Sequence, residues 1–189
     1  QNDFSEFLIF VMECFHNSIL REVDMTIKGD ILTTTDELAQ KCFNMIKTFY
    51  KKEYSEIFEL FYGIHVSKVV STCKTYTNTT PESFFLLTLP IPCKNANLMQ
   101  CLDEYTAIET LDGDNMLKID DKGTKSICKK QILFWSFPKI LVIMLKRFGN
   151  NLRKNTDRID FPLVDLDLSK YTIGYDKKKY IYDLYGICN

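Results

Sequence analysis

The chain has 189 residues, 46% of them hydrophobic and 26% charged, with 14 Phe and 10 Tyr against only 7 Gly. That balance excludes a disordered or low-complexity chain and suffices for one sizeable core. A formal net charge of −1 offers nucleic acid no electrostatic footprint, and no apolar stretch approaches the ~20 residues of a membrane span.

The first third reads as helical. Phe4, Phe7, Leu8, Val11, Met12 and Phe15 fall on one stripe of a 3.6-residue period, and Asp3 and Glu6 share a face near that helix's start, where negative charge suits the macrodipole. After the Gly29-Asp30 loop, Thr34-x-x-Glu37 predicts a capping box for a second helix carrying Leu38, Cys42, Met45, Ile46 and Phe49. A third, short helix carries Ile57, Phe58, Leu60 and Phe61, with Gly63 at its C′ position.

Beyond Gly63 the period switches to two. A strand is expected from Ile64 to about Thr75 and another from Phe84 to Leu89, ended by Pro90-Ile91-Pro92. Asn97 caps a short helix with Leu98, Cys101, Leu102, Tyr105 and Ile108, and Asp112-Gly113-Asp114-Asn115 is turn chemistry. The last third reads as sheet: Gln131 to Phe137, Ile140 to Leu145 as a central strand buried on both faces, and Tyr180 to Cys188. Gly149-Asn150-Asn151 after Phe148 is an exposed loop, and Lys177-Lys178-Lys179 a solvated one. No repeat or linker divides the chain.

The residues give no complete catalytic set. There are two histidines, and His16 follows Cys14 by two positions on a helix, which puts them on different faces. Both histidines are expected to be structural. The seven cysteines are irregularly spaced, which fits reduced thiols in a cytosolic or nuclear protein, most of them buried as small hydrophobes. No secretory signal opens the chain. The absence of any Cys-x-x-Cys argues against structural zinc.

Four segments together carry a resemblance: Gln1-Asn2-Asp3-Phe4-Ser5-Glu6-Phe7-Leu8, Leu141 to Phe148, Asp160-Phe161-Pro162, and Tyr182-Asp183-Leu184-Tyr185-Gly186-Ile187-Cys188-Asn189. In this order and spacing they resemble the ubiquitin-specific protease family of deubiquitinases. The weaker matches Leu98-x-x-Cys101-Leu102-x-x-Tyr105 and Glu109-x-Leu111-Asp112-Gly113-Asp114-Asn115 fall between them in family order.

The resemblance implies an α+β fold of the papain-like cysteine protease group, with thumb helices over 1–63, fingers mainly over 64–136 and palm sheet mainly over 137–189, as a single domain truncated at both ends. It implies ubiquitin and ubiquitinated proteins as partners, an intracellular location, and thiol-dependent hydrolysis after ubiquitin's C-terminal glycine by the parent protein. The family's nucleophilic cysteine precedes the Gln box and its histidine follows the Tyr-x-Leu strand. No catalytic residue is therefore assigned here, and this chain alone is expected to be inactive. The alternative is a ubiquitin-binding pseudo-enzyme or scaffold. Gln1, Asp3 and Glu6 match the box that holds ubiquitin's arginine-bearing tail, by charge-assisted contacts, and Phe148 matches the aromatic beside it. Where family members place two thiolate pairs for zinc, this chain has Cys73-Lys74-Thr75-Tyr76 and Ile119-Asp120-Asp121-Lys122, so one thiol of four remains. Neither a metal nor another cofactor is expected.

Overall fold

In the computed structural model, residues 4–120, 123–149 and 153–188 are described. Helix α1 (Phe4–Ile19) follows the predicted period, but only part of its stripe is covered. Met12 is buried and Leu8 and Val11 are half-buried, whereas Phe4, Phe7, Phe10 and Phe15 are exposed. The helix docks on α3 (Glu56–Phe61) through its C-terminal half. His16 Nδ1 lies 2.6 Å from Ser55 Oγ, and its ring stacks on Phe49. The fully buried Ser55 also accepts the Phe58 amide as N-cap of α3, so one hydroxyl ties both helices together.

Helix α2 (Thr34–Glu53) starts one residue earlier in its box than the sequence predicted. Thr33 is the N-cap and Asp36 closes the capping box, in place of Thr34 and Glu37. Thr33, Thr34 and Thr35 offer three candidate caps, and the shorter carboxylate wins because it also accepts the Leu32 amide and the Tyr175 hydroxyl. The Tyr175 bond first, then Thr33, holds the Asp36 carboxyl down to about 2 from 3.8, and Arg21 holds Glu56 down to about 2 from 4.5. A depressed carboxylate stabilises the fold fully above its unfolded value and loses that contribution as pH falls through the folded one. The melting temperature is therefore expected to fall as pH drops from 4.5 toward 2, and less steeply in Asp36→Asn. Melts of both proteins across that range check it.

The main sheet has the order β2-β1-β7-β4, all antiparallel: β1 (Gly63–Ser71), β2 (Thr77–Phe84), β7 (Cys128–Ser136) and β4 (Glu109–Leu111). Strand β1 is shorter than predicted. It ends at Ser71, where Ser71 Oγ accepts the Tyr76 amide and Lys74 takes a positive φ to close the turn. Polar residues and Pro81 hid β2, which is an edge strand, where proline is tolerated. Alternation sends Ile64, Val66 and Trp135 toward Ala39 and Cys42 of α2, and Phe134 toward a larger core on the opposite face.

That larger core gathers β3 (Leu86–Leu89), helix α4 (Leu98–Tyr105) and the segment around Leu168. Leu87, Leu89, Leu102, Phe134 and Leu168 are fully buried, each aliphatic one worth roughly 1.5–3 kcal/mol. Asn97 caps α4 as predicted, its box completed by Gln100, but the helix ends at Tyr105 and leaves Ile108 outside it and exposed. Asp112 to Asn115 is a turn, as expected.

Two strand expectations require correction. Ile140 to Leu145 is not a central strand: β8 (Val142–Leu145) is half-buried and pairs, among the described residues, only with β3, in parallel. Of Tyr180 to Cys188 only β10 (Ile181–Tyr182) is strand, paired with β9 (Leu166–Asp167). Between β4 and β7 lies a small hairpin, β5 (Leu117–Lys118) with β6 (Lys125–Ser126). Gly63 opens β1 with ordinary φ rather than ending α3 left-handed. It is needed because a Cβ there would lie 2.6 Å from the Phe84 ring and 2.8 Å from the Ser136 carbonyl.

Candidate functional site

The site begins where α1 meets β8. Ser5 Oγ donates to Met144 Sδ at 2.7 Å, which brings the first turn of α1 to the segment leading into Phe148. Beyond β8 the chain stays pinned to β3, the Lys146 amide donating to the Leu89 carbonyl at 2.8 Å. It then turns back on itself. The Asn155 amide donates to the Arg147 carbonyl, Phe148 bridges antiparallel to Lys154, and Arg147 Nη1 donates to the carbonyls of Asn155 and Asp157 at 3.2 and 2.9 Å. Arg147 thus staples the returning strand, a role that no sequence pattern announced.

Of the predicted site residues, Glu6 lies in the first turn of α1, exposed, and Phe148 lies beyond β8, 56% exposed. Ser5, next to Glu6 in the chain, contacts Met144 within β8, and Phe148 follows three residues beyond the end of that strand. Gln1 and Asp3 lie outside the described residues, as do Asn150 and Asn151 of the predicted loop; its Gly149 is exposed.

His16 is bonded to Ser55, and His65 Nε2 lies 3.2 Å from Glu82, its ring stacked on Phe84. All seven cysteines are free, and they correct the expectation that most are buried: Cys42, Cys101 and Cys128 are, but Cys14, Cys73, Cys93 and Cys188 are exposed. Burial pushes the Cys42 thiol up to about 12.

Cys73 is the opposite case, and nothing in the sequence marked it. It sits in the β1–β2 turn, its Sγ 3.4 Å from Ser71 Oγ and 2.9 Å from Thr75 Oγ1, and these hydroxyls lower its thiol to about 6 from 9.0. Among the described residues no group of three or more His, Cys, Asp or Glu is arranged to hold a metal ion. Cys73 is expected to be alkylated by iodoacetamide at neutral pH before Cys14, Cys93 or Cys188, and more slowly in Thr75→Val. Peptide mapping by mass spectrometry reads the order.

Among the described residues no helix is long and apolar enough to cross a membrane. The family model for ubiquitin carboxyl-terminal hydrolase matches residues 1–189. Over the whole of this chain, ubiquitin carboxyl-terminal hydrolase 2 of Gallus gallus is 32% identical, and the match covers 54% of that protein. Ubiquitin carboxyl-terminal hydrolase Usp2 of Drosophila melanogaster is 31% identical across the whole chain, with 20% of its own length covered. The protein of Homo sapiens named ubiquitin carboxyl-terminal hydrolase 2 is 32% identical, again across the whole chain, with 32% covered. This chain therefore spans about half, or less, of the length of these relatives. The match along all 189 residues, in a chain of mixed helix and sheet, shows that the protein belongs to the ubiquitin carboxyl-terminal hydrolase family.

Proposed function

We propose that this chain is the central body of a deubiquitinase catalytic domain, and that it grips the C-terminal tail of ubiquitin between the start of α1 and the Phe148 segment. The observation that carries this reading is the Ser5–Met144 contact, which unites the acidic first turn of α1 with the strand leading to Phe148. Gln1, Asp3 and Glu6 would pair with the tail's arginines, and Phe148 would pack beside it. Residues 1–63 would form the thumb, 64–136 mainly the fingers and 137–189 mainly the palm of a papain-like architecture. The pairing of β1 with β2 and β7 supports a fingers-type extension, and the exposed phenylalanines of α1 support a body covered by further chain.

The reaction in this reading is thiol-dependent hydrolysis of the isopeptide bond at ubiquitin's C-terminus, by a cysteine and histidine that are not among residues 1–189. Full-length protein is expected to hydrolyse ubiquitin carrying a C-terminal fluorophore, with KM raised about tenfold by Glu6→Ala or Phe148→Ala, since a charge-assisted contact is worth about 1.5–3 kcal/mol. Unchanged KM in both variants contradicts the tail site. Tail-dependent ubiquitin binding without turnover identifies the pseudo-enzyme instead.

A further inference from the structure

A second surface adjoins the Phe148 hairpin. An open hollow of about 300 Å³ lies between the end of β8 and the returning strand, lined by Lys146, Arg147, Arg153 and Lys154 together with Ile91 and Asn155. Four cations line it, and among the described residues no carboxylate does. The overall charge of −1 makes this concentration local rather than a property of the whole chain.

The cations are held in place by the backbone. Arg147 is fixed by two carbonyls, which are neutral acceptors, and among the described residues it forms no ion pair. Lys146 is set by the bond from its amide to Leu89, and Lys154 by its bridge to Phe148. Both lysines are exposed, and among the described residues neither forms an ion pair. Convergent like charges repel one another, a cost relieved when an anion enters.

We propose that this hollow docks an acidic peptide segment of a partner protein, one whose Asp or Glu carboxylates reach Lys146, Arg147 and Lys154 while an apolar side chain covers Ile91. The volume, at ~30 Å³ per water, is roughly that of ten waters and exceeds the need of one small anion. Its concave shape and Ile91 wall suit a side-chain-bearing chain better than a flat lipid surface. Arg147 presents a planar fork that takes a carboxylate side-on, which fixes the orientation of the bound segment. This surface is distinct in charge from the acidic start of α1, so it selects a different partner element from the tail site.

The test needs no ubiquitin, which separates its outcome from that of the tail reading. Full-length protein is titrated into a fluorescein-labelled peptide of alternating Glu and Gly, with a Gln-for-Glu peptide as control, and anisotropy is followed at low and high salt. The Glu peptide is expected to bind, more weakly as salt rises, and the Gln peptide not to bind. Lys146→Glu with Lys154→Glu is expected to weaken binding at least about tenfold, with Lys146→Gln and Lys154→Gln giving a smaller loss and a circular dichroism spectrum unchanged from the parent. Lys177→Glu with Lys178→Glu makes the same change of charge at the exposed basic turn and is expected to leave binding intact. Equal loss in both charge-reversed proteins, binding of the Gln peptide, or binding of phosphatidylserine vesicles in place of the peptide overturns the proposal.

Discussion

Replacing Phe134 by alanine is expected to lower folding stability by about 3–5 kcal/mol, the loss typical of truncating a buried aromatic ring. Phe134 is the largest fully buried side chain in the protein's described residues. Its ring stacks on Phe137 at 4.3 Å, meets Phe84 edge-on at 5.6 Å and lies 5.8 Å from Tyr105. These neighbours come from β2, α4 and the end of β7, so no single element can move to fill the space. The void costs both the transfer term and the lost ring contacts. For a chain of this length the melting temperature should drop by roughly 6–20 °C. A loss below about 1.5 kcal/mol in denaturant titration would show that the core relaxes around the site.

Gly174→Ala is expected to be nearly as damaging for a different reason. A Cβ at Gly174 would stand 2.2 Å from the Trp135 carbonyl oxygen and 3.3 Å from its carbonyl carbon. The obstacle is backbone, which cannot rotate aside. The close approach arises from an irregularity between β1 and β7, where His65 pairs with Phe134 and Ile64 with Ser136, leaving Trp135 without a partner. The chain at Thr172 runs parallel to β7 there, and the Ile173 amide donates to the Phe134 carbonyl at 2.8 Å. Making room for a methyl group breaks that bond and lifts Tyr175 from Asp36. The cost should reach about 3 kcal/mol or more, the upper range of overpacking. Gly186→Ala meets nothing within 4 Å and serves as the control, expected to change stability by less than about 1 kcal/mol.

Much of this architecture was legible in the sequence wherever a local signal and the tertiary structure agree. The stripe from Phe4 and the Asn97 cap each announced a helix, and the switch of period after Gly63 announced β1. The failures have physical causes. Ile140 to Leu145 is apolar throughout, yet hydrophobicity cannot say how many neighbours a strand has, and among the described residues β8 has one. Tyr180 to Cys188 is rich in aromatic and aliphatic residues, as strands are, but beyond Tyr182 the described chain has no ladder partner. Strand β2 is held by eight register pairs with β1 despite an unpromising composition, because pairing, not propensity, fixes it.

Letter matches singled out Glu6 and Phe148, and the structure ties the first turn of α1 to β8 through Ser5 and Met144. Arg147 as a staple and Cys73 as a low-pKa thiol were not readable, because each depends on partners set by turns: the Asn155 and Asp157 carbonyls for one, Ser71 and Thr75 for the other. The basic hollow likewise needs Lys146 and Lys154 brought to one surface by a hairpin that spacing alone does not predict.

The most direct measurement is to incubate full-length protein with ubiquitin bearing a C-terminal electrophile and to map the modified residue by mass spectrometry. The account predicts a covalent adduct on a cysteine other than Cys14, Cys42, Cys73, Cys93, Cys101, Cys128 and Cys188, formed more slowly in Glu6→Ala and Phe148→Ala. An adduct on one of those seven, or no adduct and no ubiquitin binding, would contradict it.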